Sequence, residues 1–419
     1  MSLLTLPTEL LSRIAIHLLP SPQDLNSLAK ASKLLYTITN PILYNHQIAH
    51  QNSTALIWAS KHGKPAPCTR LLHQGANPNT QDAQSRTPLS WAAANGHREL
   101  VSILLSSDKI DPNMPDAHLQ TPLVWAAGHG LYSPFRAWKS PSPPGADADG
   151  DTVHPNTKAA EYLAIVKLLL STRAIQPDRR TQRGETPLAL AAAAGAEDIV
   201  EELLGTGKVN ANSSDKFGQS ALMAAARSGH VRIVTRLLDE GVDPDARSSS
   251  GDSALLAAAR NGHAAVVKVL LALRTVDPEH EPSFGDRALV EAVGAGHEDV
   301  VRLLLSSGRV DPGLSSKRGV TGLGRAAQRG RTSIMRLLLE RGVEADGADG
   351  EGRTPVMIAA ERGHVEVVRL LLSTGRVRAD FDLAELQRGR ESFFARELNG
   401  DVVRVLDEYK RRRGGSLDS

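Results

Sequence analysis

The sequence predicts an all-α solenoid, in which short helix–turn–helix units joined by extended hairpin arms stack in a row. Three observations predict it. One leucine recurs at Leu56, Leu89, Leu123, Leu188, Leu222, Leu255, Leu289 and Leu323, then becomes Val356, in steps of 33 or 34 residues with a single step of 65. A fixed period of this length marks a stacked array. Each period also carries an apolar stripe at helical spacing with charge on the opposite face, as in Leu100, Val101, Ile103, Leu104 and Leu105 or in Val300, Val301, Leu303, Leu304 and Leu305. One unit cannot bury such a stripe alone, so each must lie against its neighbours. Finally, 41% of the 419 residues are hydrophobic but only 4% are aromatic, which suits packed Ala, Leu and Val helices better than a sandwich of sheets.

Each of the nine copies has the same parts in the same order. Most open on a glycine such as Gly251, where a turn calls for positive φ. A hydroxyl follows at Thr54, Thr87, Thr121, Thr186, Ser220, Ser253, Thr321 and Thr354, placed to accept from the first free amides of a helix. Pro88, Pro122, Pro187 and Pro355 come next, where a helix tolerates a missing N–H. The first helix is rich in Ala, which lets a neighbouring helix approach closely. Pairs such as Asn95-Gly96 and Asn261-Gly262 end it. The second helix carries the stripe, and an extended arm such as Asn77-Pro78-Asn79 or Asp111-Pro112-Asn113 closes the unit.

At these residues the chain resembles the ankyrin repeat family. Thr87-Pro88-Leu89, Thr121-Pro122-Leu123, Thr186-Pro187-Leu188 and Thr354-Pro355-Val356 match that family's opening motif, and Gly96-His97, Gly229-His230, Gly262-His263, Gly296-His297 and Gly363-His364 match its inter-helix turn. The resemblance covers residues 51–410. It departs from the family where a histidine usually follows the leucine; here that slot holds Ile57, Ser90, Val124, Ala189, Met223, Leu256, Val290, Gly324 and Met357. The resemblance implies a concave face, made of arms and first helices, that binds protein partners.

Residues 1–50 stand outside the repeat. Leu10, Leu11, Ile14 and Leu18 lie at helical spacing behind Thr8, with Pro20 and Pro22 as stops. Leu25, Leu28, Ala31, Leu34 and Leu35 mark a second helix, and Ile42, Leu43 and Ile48 a third after Asn40-Pro41. Three short helices bury too little apolar surface to stand securely alone. The segment resembles an F-box. Leu6, Pro7, Glu9, Leu10, Leu11 and Ile14 match the family's opening, Leu25 and Leu28 its leucine pair, and Pro41, Leu43 and Tyr44 its close; Leu35 and Tyr44 stand where Trp is common. The resemblance implies that Leu6, Pro7, Glu9, Leu10, Leu11 and Ile14 dock a Skp-type adaptor of a cullin–RING ubiquitin ligase. The alternative is a cap that only shields the first repeat.

Trp58, Trp91 and Trp125 occupy equivalent positions in the first three copies. They are read as packing between repeats, with an aromatic ladder for a ligand as the other reading. The 65-residue step implies an insertion near residues 131–160, between the helices of the third copy; five prolines there argue against regular structure. Tyr132, Phe135 and Trp138 either pack back on the stack or anchor a partner. Asp147, Asp149 and Asp151 have the spacing of calcium ligands, but Thr152 replaces the required Gly and Lys158 the closing Glu, so a solvated acidic loop is expected and no metal.

The arm tips differ most between copies. Arg179, Arg180, Lys216, Phe217, Arg247, His280, Phe284, Lys317 and Arg318 are the partner-binding candidates, the two Phe as anchors and the cations for an acidic patch. The alternative is that tips are polar because loops are solvated. After Leu372 the pattern frays into capping helices over 386–410 and a tail over 411–419. Lys410-Arg411-Arg412-Arg413 reads as cations at a helix C-terminus, with a nuclear signal as the alternative.

Net charge is +2, so no bulk field points to nucleic acid, and a single Cys68 forms no intramolecular disulfide. No apolar run reaches a membrane-spanning length and the N-terminus has no secretory signal, so cytoplasm, nucleus or both are expected. Gly205-Thr206-Gly207-Lys208 lacks P-loop spacing, and His297-Glu298 lacks the second His of a zinc protease. No enzyme and no cofactor are expected. The expected function is a protein-binding substrate receptor for a cullin–RING ubiquitin ligase; the alternative is a plain scaffold or adaptor.

Overall fold

A computed structural model describes residues 54–128, 155–279, 287–313, 315, 319–377 and 400–414. Residues 1–50 and the N-terminal candidates Leu6 to Ile14 lie outside the described residues, as do Tyr132, Phe135, Trp138 and the three insertion aspartates. The chain divides into two compact units that part between Lys216 and Phe217.

In the first unit Thr54–Lys61 (α1) pairs with Pro65–His73 (α2), Pro88–Ala94 (α3) with Arg98–Leu105 (α4), Pro122–Ala127 (α5) with Pro155–Leu170 (α6), and Pro187–Ala194 (α7) with Glu197–Gly205 (α8). The first helices of successive pairs pack on one another, α1 on α3, α3 on α5 and α5 on α7, and the second helices form a parallel row. The first row has neighbours on nearly all sides. In α3, Pro88, Leu89, Ser90, Trp91, Ala92 and Ala93 are all buried. The second row buries only its stripe, which in α4 is Leu100, Val101 and Leu104. That contrast explains why one helix is Ala-rich throughout and the other amphipathic. Each fully buried Leu contributes about 1.5–3 kcal/mol of apolar burial.

The second unit repeats this plan. Ala221–Ser228 (α9) pairs with Val231–Asp239 (α10), Ala254–Asn261 (α11) with Ala264–Leu271 (α12), Ala288–Ala295 (α13) with Glu298–Ser306 (α14), Gly322–Arg329 (α15) with Thr332–Glu340 (α16), and Pro355–Glu361 (α17) with Val365–Ser373 (α18). Gly400–Gly414 (α19) closes it against α18, burying Val402 and Leu406, while Tyr409 donates to the Val377 carbonyl at 3.3 Å. This helix runs four residues into the stretch expected to be tail and takes Lys410 to Arg413 into its last turn. Phe393 and Phe394, expected in the same cap, lie outside the described residues.

The caps form as the hydroxyl positions require. Thr87, Thr121, Thr186, Ser220, Ser253 and Thr321 each accept from the backbone N–H three residues on. Thr354 makes no such bond, and Arg287, in the same slot of the seventh copy, has no side-chain cap. The Gly-His turn has a steric reason as well. Gly262 sits at φ +79°, and a Cβ there would stand 2.5 Å from His297 Nδ1 of the next unit. Four of the turn histidines in turn reach back one copy: His97 to the Lys61 carbonyl at 3.3 Å, His263 to Arg227 at 2.9 Å, His297 to Arg260 at 3.2 Å and His364 to Gln328 at 3.3 Å. These histidines link copies by satisfying helix-end carbonyls. Arg331 does the same for Ala295.

The third copy departs from the expected irregular insertion. The helix α6 begins at Pro155 and has 16 residues against 8 in α4, so residues 155–160 are helical. Pro at a helix's first position costs no hydrogen bond, which is why this proline starts structure here. Tyr162 takes the histidine's role, donating from Oη to the Ala94 carbonyl at 2.9 Å beside Gly96.

Candidate functional site

The arms are built by two short-range devices and one that joins copies. In the Asn/Asp-Pro-Asn/Asp segment the first side chain accepts from the backbone two residues on: Asn77 from Asn79, Asp111 from Asn113, Asp243 from Asp245. The third side chain crosses to the next arm. Asn79 Oδ1 accepts from the Asp111 N–H at 2.9 Å and its Nδ2 donates to the Lys109 carbonyl at 2.7 Å. Asn113 accepts from the Gln176 N–H at 2.8 Å and donates to the Ala174 carbonyl at 2.7 Å. Asp245 accepts from the Asp277 N–H at 3.2 Å in the second unit.

At the far end of each arm a tight hairpin forms. Asp82 N–H donates to the Arg86 carbonyl, Asp116 to Gln120 and Thr181 to Glu185. Its fourth residue takes positive φ, supplied by Gly184, Gly251 and Gly352 but also by Ser85 at 58° and Leu119 at 60°. Neighbouring tips are tied by one backbone bond each: Ala117 N–H to Gln84 O at 2.9 Å, Gln182 to His118 at 2.8 Å, Lys216 to Arg183 at 2.9 Å and, in the second unit, Ser249 to Phe217 at 2.9 Å. Tip side chains are therefore held in register along each unit.

The tip residues singled out from sequence divide by what they already do. Arg179 is exposed but donates to Gln176 Oε1 at 2.9 Å and to the Asn113 carbonyl at 3.1 Å. Arg180 donates to the Ser214 carbonyl and to Ser213 Oγ, bridging two arms. Arg247 is half-buried and its Nη2 lies 2.6 Å from both Asp245 oxygens, so its charge is answered within the chain. Lys216 is exposed in the first unit, and Phe217 in the second is 59% exposed. His280, Phe284, Lys317 and Arg318 lie outside the described residues.

Two features escape a reading copy by copy. Trp91 and Trp125 are 7% and 4% exposed, and their indole N–H groups donate to Asp82 Oδ2 at 2.9 Å and Asp116 Oδ2 at 3.2 Å. They are packing groups that brace each hairpin from the helix below. Leu119 is 51% exposed in a left-handed conformation that disfavours any residue with a Cβ. The visible signal was a leucine in the slot where other copies place Gly184, Gly251 and Gly352.

Among the described residues no group of three His, Cys, Asp or Glu side chains is placed to hold a metal, and no helix is long and apolar enough to cross a membrane. Burial pushes the Cys68 thiol up to about 12. His97 lies below its ordinary value because burial disfavours the imidazolium, against the bond to the Lys61 carbonyl that favours it.

Stacked helix pairs with tied hairpin arms define a repeat protein built for contact with other macromolecules. The chain belongs to the ankyrin repeat family: the model for ankyrin repeats in three copies matches residues 56–134, 157–248, 237–313 and 308–383. It is also similar to the ankyrin repeat domain of human ASB11, a crystal structure with which it shares 27% identity over 54% of this chain and 98% of that one, at a TM-score of 0.48.

Proposed function

We propose that the chain is a protein-binding ankyrin repeat protein that serves as a substrate receptor: the arm faces hold a protein, and residues 1–50 dock a Skp-type adaptor of a cullin–RING ubiquitin ligase. The observation that carries protein binding is the run of arm tips tied in register, which offers side chains such as Lys216 to a partner at fixed spacing. Preorganised tips lower the ordering cost of association. Adaptor docking rests on the sequence alone, on Leu6, Pro7, Glu9, Leu10, Leu11 and Ile14.

The test is co-purification of the full chain with the adaptor, alone and as the Leu6→Ala/Pro7→Ala double variant. The receptor reading expects a complex that the double variant loses. No complex with the unaltered chain removes the ligase link and leaves a scaffold whose N-terminal helices act as a cap.

A further inference from the structure

In the first unit a cleft of about 280 Å³ opens between arm tips, lined by Arg86, His118, Gln120, Trp125, Arg183 and Glu185 among others. One of its lining groups is the Arg86 guanidinium, whose carbon lies 4.7 Å from the Trp91 ring centroid and 5.4 Å from that of Trp125. Both indoles are fixed by their bonds to Asp82 and Asp116, so the guanidinium is held by rings that cannot swing away. Stacking of this kind satisfies the faces of the cation and leaves its N–H edge without an acceptor. The Arg86 Nε is buried with no hydrogen-bond partner, and among the described residues no carboxylate pairs with this side chain.

Two further observations point the same way. Gln120 is 7% exposed and lines the cleft, yet its carboxamide has no hydrogen-bond partner among the described residues. Its amide nitrogen and oxygen keep access to solvent, and so are open to a group that enters the cleft. Leu119, in sequence between the lining residues His118 and Gln120, presents an exposed apolar side chain in a conformation that glycine would hold without strain. The cleft holds two guanidinium groups, Arg86 and Arg183, against one carboxylate, Glu185, and that carboxylate accepts from Thr181 Oγ1 at 3.1 Å.

We propose that this cleft is a carboxylate-reading subsite for an acidic peptide segment of the bound protein. The Arg86 edge takes the carboxylate, Gln120 donates to it or to the adjoining peptide, and Leu119 covers an apolar neighbour in the segment. Arg–carboxylate pairing is bidentate and charge-assisted, and a stacked Arg forgoes less freedom in making it. The inference rests on the protein-binding reading and specifies which part of the arm face reads which chemistry.

The test screens the full chain against short synthetic peptides, each carrying one Asp or Glu, printed beside its Asn or Gln counterpart and with free or amidated C-termini. A set of acidic peptides is expected to bind about ten-fold more tightly than their amide counterparts, and Arg86→Lys, which keeps the charge but not the fork, to lose about ten-fold. Leu119→Gly is expected to weaken binding without lowering the thermal midpoint, which a purely structural role for Leu119 does not produce. Amidation of the C-terminus separates a chain-end carboxylate, lost on amidation, from a side-chain one, retained; either supports the subsite. Peptide binding that ignores charge, or that survives both Arg86→Lys and Arg86→Gln, overturns the subsite and leaves protein binding standing. Binding of no peptide overturns the inference, while the adaptor and partner tests bear separately on the broader reading.

Discussion

Cys68, a residue of α2, is wholly buried, and with its thiol pushed up to about 12 almost no thiolate exists near neutral pH. Only the thiolate attacks disulfides and alkylating agents. The folded chain is therefore expected to react with a thiol reagent only at the rate at which the first unit opens, and at once in denaturant. A stoichiometric burst of labelling in native buffer contradicts this. His97 gives a second residue-level outcome. Its folded value lies below 6.5, so between that folded value and 6.5 the unfolded chain binds the extra proton. The associated stability is present above about pH 6.5 and is lost as pH falls through the folded value. His62, Lys158 and Lys64 add to the effect by repelling the imidazolium. Denaturant unfolding at a series of pH values is expected to show this acid slope in the unaltered protein and a shallower one in His97→Gln. Equal slopes in the two proteins tell against it.

At the scale of the element, the arms are joined by side chains that serve two copies at once. Asn113 is 8% exposed, and its side chain makes two bonds with the next arm, to Gln176 and Ala174. Asn113→Ala is expected to cost about 1–3 kcal/mol, because the Gln176 N–H loses its acceptor. Chemical denaturation measures this, and a change within about 0.5 kcal/mol of zero places the arm's order elsewhere. The helices, caps and Gly-His turns were legible in the sequence because their signals are local: a hydroxyl three residues before the amide it caps, an apolar residue every third or fourth position. The arm ladder was not, since Asn113 and Gln176 are 63 residues apart and nothing near Asn113 names its partner. The same distance problem hid the bonds of Arg179 and Arg180 to Asn113, Ser214 and Ser213, whereas Arg247 pairs with Asp245 only two residues away. Their charge was visible, but the carbonyls and carboxylate that engage them belong to the folded arms.

For the whole molecule, the period announced the fold and the near-neutral charge turned attention from nucleic acid to protein. The sequence pointed to arm tips as a class, and several of the cations it singled out are engaged inside the chain. The Arg86–Trp91–Trp125 cluster was missed because its members come from an arm and two helices. Each tryptophan alone reads as core, and only the fold sets the guanidinium between them. A second-row helix such as α4 is therefore scaffold, and the arms are the working surface.

Hydrogen exchange of the full chain, free and saturated with the tightest acidic peptide, tests this most directly. Added protection is expected to concentrate in the arm tips of the first unit, at residues 82–86, 116–120 and 181–185, with the second-row helices α2, α4 and α8 unchanged. Protection centred on those helices, or none anywhere in the presence of demonstrated binding, would contradict it.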